Sequence, residues 1–235
     1  TFLDTNLHMA RLLPTSNPGR LTFWRTGLKA GSFDLMTMNT DGTIAKDPAE
    51  HVLGPLVKLP PFVLGPVAKN SHVVNSVLGP VFDCFAPDGK SFYLSGVYAA
   101  TTIYGAVRKI KMDGFWRDGQ VWKVDLKTRT AKVFFALDKK SIPLTRKDRD
   151  TAYGGSNGYA ALHGVAVSED GNVFVCDRLN KRIIILDDSG KMIREISVKH
   201  PDAIALSKRT SALYVTTRYG DYHRHGAVQL LKYNN

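Results

Sequence analysis

A chain of 235 residues with 43% hydrophobic and 10% aromatic content can bury a sizeable core, which excludes a disordered or collagen-like polypeptide. Its two cysteines exclude a disulfide scaffold, and no apolar run is long enough to span a bilayer. The formal net charge of +11 favours acidic partners, although no nucleic-acid motif accompanies it.

The first predicted unit spans about residues 7–47. It contains the strand-like runs RLTFWRTG and SFDLMTMNTDG and a short TIAKD. Residues 48–79 differ in kind. Val-Leu-Gly-Pro occurs at 52–55, 63–66 and 77–80, and Pro60-Pro61 lies between. Proline at this density predicts an extended apolar loop in place of regular strand. Such a segment would be costly in water, so it covers a face of its own domain or contacts another subunit.

A second unit covers 80–137, with strands in PVFDCF, SFYLSG, GQVWKVDL and TAKVFFAL. Residues 97–118 interrupt it as an amphipathic, aromatic insertion, and with 48–79 they form the predicted surface for a protein partner. A second long segment, 138–161, is charged and then Gly-rich. Loops of this length are commonly functional.

Residues 162–198 give the clearest signal. GVAVS, NVFVCD, RIIILD and KMIREI are β-rich runs of about five residues cut by Asp-Gly, a polar turn and Ser-Gly, which predicts an antiparallel meander. A further copy follows at 202–235: Ala203–Ser207 matches Gly164–Ser168, Ala212–Val215 matches Asn172–Val175, and GAVQLLKY supplies a third strand. Repetition at about 40 residues predicts an all-β fold, a β-propeller of four-stranded antiparallel blades, here with four recognisable units in one domain. The final unit lacks an outer strand. Either TFLDTN at the N-terminus supplies it, or the chain is part of a longer protein; the missing Met and the short last unit favour the second expectation.

Over 162–198 the pattern HGVAVSEDGNVFVCDRLNKRIIILDDSGK resembles the NHL-repeat propellers. The flanking units resemble the wider six-bladed group, which includes lactonase-like propellers. The resemblance implies blades around a central channel with function at its mouth, and a secreted or periplasmic location.

Candidate chemistry gathers where strands begin and end. His163 immediately precedes a first strand, with Asp202 at the matching position of the next unit. Arg178 and Arg218 match each other after their second strands. His163 with Cys176-Asp177-Arg178 is similar to part of peptidyl-hydroxyglycine amidating lyase. That resemblance implies zinc on His163 and a catalytic role for Arg178; only these two residues carry over. The lactonase-like resemblance implies a divalent cation, zinc or calcium, with Asp83, Asn157 and Asp202 as the candidates. Asp83 stands where an inner strand expects an apolar residue, and a buried carboxylate needs a partner, which a structural hydrogen bond would also supply. His200 fits a zinc set only in a shifted register. His223-Arg224-His225, beside Tyr219 and Tyr222, reads as a polar turn or a weak metal motif.

Cys84 and Cys176 fall in different units and read as free thiols, with no CxxC spacing. No GxSxG, P-loop or dinucleotide fingerprint is present. The leading expectation is therefore a non-catalytic propeller that serves as a binding scaffold or subunit. The alternative is a metal-dependent enzyme of amidating-lyase or lactonase type, with His163, Asp83 and Asp202 as ligands and Arg178 as electrostatic catalyst. Recognition of a polyanion by charge is a third reading, which predicts steep salt dependence.

Overall fold

The computed structural model describes residues 12–14, 19–26, 32–41, 43, 57–58, 72–78, 82–96, 98–104, 111–116, 118–125, 127–128, 130–143, 160–219 and 228–234. The described residues form strands, turns and one short 3-10 turn at Lys139–Ser141, with no α-helix among them. The chain divides into two compact units: residues 1–77, 100–113 and 125–131, and residues 78–99, 114–124 and 132–235.

In the first unit β1 (Leu12–Pro14), β2 (Arg20–Thr26), β3 (Ser32–Asn39) and β4 (Val57–Lys58) form a sheet in that order. Its pairs are antiparallel, with Phe23 opposite Leu12 on one side and Met36 on the other. The run TIAKD, expected as a strand, lies outside the described residues apart from Thr43.

Residues 48–79 are not loop throughout, which corrects the proline argument. Besides β4, His72–Leu78 is a strand, β5. The prolines stop at Pro66 and resume at Pro80, so HVVNSVL is free to extend, and its β-branched Val73, Val74 and Val77 favour it. The insertion 97–118 is also stranded. It forms β8 (Tyr98–Tyr104) and β9 (Lys111–Trp116), which join β5 in a three-stranded sheet of order β5-β8-β9.

The second unit carries the repeats in the predicted order. β6 (Phe82–Phe85), β7 (Ser91–Ser95), β10 (Gln120–Asp125) and β11 (Thr130–Ala136) make one four-stranded sheet. β12 (Leu162–Val167), β13 (Val173–Asp177), β14 (Arg182–Leu186) and β15 (Met192–Ser197) make the next. β16 (Pro201–Leu206), β17 (Leu213–Arg218) and β18 (Val228–Tyr233) make a three-stranded sheet. First strands lie together, β12 packing against both β6 and β16. Consecutive meanders stacked through their first strands are blades of a β-propeller.

Side-chain alternation explains why the central strands are so apolar. Val173, Val175, Ile184 and Leu186 pack toward the preceding blade with Phe82, Tyr93 and Val121. Phe174, Cys176, Ile183 and Ile185 pack the opposite way, with Leu213 and Val215. All of β13 is therefore buried, whereas the outermost β15 is mostly exposed. Each fully buried Ile or Val contributes roughly 1.5–3 kcal/mol. The repeat extends to detail: the register slips between Leu162 and Val165 in β12, and again between Pro201 and Ile204 in β16.

Candidate functional site

The slip lies at one end of the blades, where first strands enter and second strands finish. His163 sits on β12 within it, fully buried, with its ring 4.9 Å from that of Phe82. The Ser95 hydroxyl donates to the His163 carbonyl, which fixes the backbone from the preceding blade. From the following blade comes Asp202: its Oδ1 lies 2.9 Å from His163 Nδ1. Gly164 makes this approach feasible. A Cβ there would fall 2.8 Å from the Ile204 nitrogen and 2.9 Å from the Ala203 Cα and the Asp202 carbonyl oxygen.

Charge then spreads outward. Asp202 Oδ2 lies 3.4 Å from Arg218 Nε. Arg178, fully buried, donates from Nη2 to the Arg218 carbonyl at 2.8 Å and from Nη1 to the His200 carbonyl at 3.5 Å. The two arginines occupy equivalent places: Arg178 N donates to the Ala161 carbonyl at 2.9 Å, and Arg218 N to the His200 carbonyl at 3.0 Å. Asp177 pins the turn after β13, accepting from the Asn180 backbone at 3.1 Å, from Asn180 Nδ2 at 2.8 Å and from Arg182 Nε at 2.9 Å.

Burial lowers the His163 pKa and outweighs the opposing pull of Asp202. The ring is neutral, and its Nδ1 proton goes to the carboxylate, which can only accept. Burial alone would raise Asp202, but the His163 hydrogen bond and the charges of Arg218 and Arg178 outweigh it and hold the carboxyl low. The pair is thus a neutral imidazole and an ionised carboxylate. Burial raises both thiols, Cys176 strongly, and neither is in a disulfide.

His163, Asp202 and Arg178 therefore come together, and Arg218 joins them. Asp83 is buried on β6, opposite Leu94 in register. Asn157, Tyr222, His223 and His225 lie outside the described residues. Sequence reasoning did not single out Ser95, Gly164 or Asp118. The Asp118 Oδ1 accepts from Ala161 N at 2.7 Å and Gly119 N at 2.8 Å, holding the entry to β12. An Asp-Gly pair just before a strand was the available signal.

Among the described residues the donors do not fit zinc or calcium as they stand. His163 and Asp202 face each other at hydrogen-bond distance, not around a common point. Among the described residues no three His, Cys, Asp or Glu side chains converge as a metal would require. No described helix is long and apolar enough to cross a membrane.

No family model and no curated protein matches the sequence. Solved structures do. Regucalcin, a calcium-binding protein from Agrobacterium tumefaciens, matches at 15% identity and TM-score 0.45, covering 93% of this chain and 55% of that one. A gluconolactonase from Xanthomonas campestris matches at 12% and 0.44, covering 94% and 56%. An α-L-arabinofuranosidase from Fusarium graminearum matches at 7% and 0.49, covering 96% and 57%. The chain thus spans just over half the length of these proteins. All three TM-scores lie below 0.5, and the propeller assignment rests on the strand order and first-strand packing of the chain itself.

Proposed function

We propose that the protein is a propeller enzyme of hydrolase or lyase type, acting on a small carbonyl-bearing molecule at the blade end of β12 and β16. One observation carries this reading: an ionised carboxylate, a neutral histidine and two arginines meet across two blades, and the outer members reach solvent. The side chain of Asp202 is 13% exposed and that of Arg218 34%. These two would touch substrate, while His163 and Arg178 act as positioning residues behind them.

The chemistry follows from charge. Attack on an ester or lactone carbonyl places negative charge on its oxygen, which a fixed guanidinium stabilises. The carboxylate of Asp202 accepts a hydrogen bond from the attacking water and orients it. Its lowered pKa makes it a weak base, so positioning outweighs proton removal.

Lactone and aryl-ester hydrolysis, followed by acid release, tests the proposal. Asp202→Asn and Arg218→Gln should each lower kcat about a hundredfold or more, the order expected for one electrostatic contact to the transition state, while the circular-dichroism spectrum is kept. Wild-type protein that turns over neither class, or an Arg218→Gln variant of unchanged kcat, sinks it. Elemental analysis is the companion measurement: stoichiometric metal that disappears in His163→Gln would overturn the hydrogen-bonded account of His163 and Asp202.

The scaffold reading has one observation of its own: Val228 and Leu230 on β18 are 57% and 67% exposed. Under that reading Leu230→Lys changes the assembly state by sedimentation, whereas the enzyme reading expects no change in turnover from it.

A further inference from the structure

In the blade β16–β18 the outermost strand has the make-up of an inner one. Leu230 on β18 stands opposite Thr216, as Ile183 on β14 stands opposite Cys176 in the blade before. β18 is thus the counterpart of β14, and Leu230 of Ile183. In that blade β14 carries β15 along its outer edge, antiparallel, with Ile183 opposite Ile196. Among the described residues β18 pairs with β17 alone, so no described strand takes the place of β15 on it. The two outer strands also differ in charge. β15 sets Arg194 and Glu195 at its centre, a device that discourages further pairing. β18 has Leu230 and Leu231 there, and Lys232 is its one charged residue.

We propose that β18 pairs antiparallel with β18 of a second copy of this chain, joining two blades into one continuous sheet. The repeat supplies the first argument: what belongs at this edge is an extended antiparallel strand, as β15 shows on β14. Symmetry supplies the second. Leu231 and Tyr233 turn to the core shared with β13 and β14, while Val228, Leu230 and Lys232 lie on the other face, exposed. A two-fold axis normal to the sheet keeps each face on its own side, so only residues of like facing oppose each other. With the axis at Leu230, Leu230 meets its own counterpart, Val228 meets Lys232 and Gln229 meets Leu231. The exposed apolar face is then continuous across the two copies.

Charge selects this register. The two Lys232 residues lie about 14 Å apart along the strands, beyond the screening length of about 8 Å. An axis at Leu231 would bring them to about 7 Å, inside that length. The proposal deepens the scaffold reading, on whose exposed residues it rests, by giving that face a partner and a register.

Sedimentation velocity on the full chain tests it. Wild type should pass from monomer to dimer as its concentration rises. Added chloride should tighten the dimer, because each copy carries a net charge of +11 that opposes association. Leu230→Lys and Leu230→Glu each set like charges opposite one another and should weaken the dimer at least about tenfold. Leu230 is exposed, so both variants should keep the wild-type circular-dichroism spectrum. An equimolar mixture of the two should dimerise again, since opposite charges then meet. Ile193→Lys, on the exposed β15, should leave the dimer unchanged. A chain that stays monomeric at every concentration overturns the proposal and leaves the scaffold reading to an unlike partner. A mixture no tighter than the separate variants overturns the two-fold register. Loss of the dimer in Ile193→Lys moves the contact to β15 and overturns it as well. Turnover enters none of these readouts, so the result is independent of the proposed activity.

Discussion

Replacing Gly164 with alanine tests how closely the first strands must approach. The added carbon would meet three backbone atoms at 2.8–2.9 Å, where ordinary contact begins near 3.4 Å. No flexible side chain stands in the way to swing aside, so β12 and β16 must separate by about 0.5 Å to restore normal contact. That separation would stretch the 2.9 Å bond between His163 and Asp202 to about 3.4 Å, near the limit of a hydrogen bond. Overpacking of this kind costs roughly 1–3 kcal/mol, and weakening a charge-assisted bond adds to it. For a chain of this length each kcal/mol lowers the Tm by about 2–4 °C. Urea titration and a thermal scan of wild type and Gly164→Ala give the value. A variant within about 0.3 kcal/mol of wild type, well below that range, would show that the inner strands are not in the close contact described.

Acid should destabilise the protein in two stages. The folded pKa of His163 lies below its ordinary 6.5, so its contribution is present above that pH and is lost as pH falls through the folded value. Asp202, held below 3.8, contributes above that value and is lost as pH falls further. In urea titrations between pH 5 and 8, His163→Asn, whose amide can still donate to Asp202, should flatten the slope; an unchanged slope would contradict the buried neutral ring. Arg178→Met removes the guanidinium donor from the Arg218 carbonyl and should cost about 1–3 kcal/mol, while the His200 carbonyl keeps the Arg218 backbone N–H. Arg178→Lys should not restore that loss in full, because one ammonium cannot span both carbonyls; full rescue in a thermal scan would refute the bridging role. Cys176, fully buried, should react with a thiol reagent only on global unfolding and after Cys84, as followed by mass spectrometry.

Legibility followed locality. β12 to β17 lie where their runs of β-branched residues and Asp-Gly or Ser-Gly turns placed them, because these blades are sequence-local meanders. The pairing of β7 with β10 was also readable across the insertion, since both flanks keep the strand pattern. What the insertion does was not readable: β8 and β9 find β5 across a long separation, which no local signal encodes. At the site, matching repeats put His163 opposite Asp202 and Arg178 opposite Arg218. The pattern could not show that Arg178 turns to carbonyls of the next blade, because side-chain direction at a register slip depends on packing. Gly164 is the sharpest omission, since its role is visible only once two strands are laid together.

The anchoring of Leu137 and Ala161 has a consequence for how this scaffold could change. Leu137 N bonds the Gly119 carbonyl at 2.8 Å, and Ala161 N bonds the Asp118 side chain at 2.7 Å. Both ends of the intervening stretch are thus tethered to one dipeptide, and the distance to be bridged is set by the blade instead of by the chain between. Doubling the length of that chain would add only about 0.6 kcal/mol of closure entropy. Foreign segments of different lengths could be spliced between these two anchors with the entry to β12 left in place.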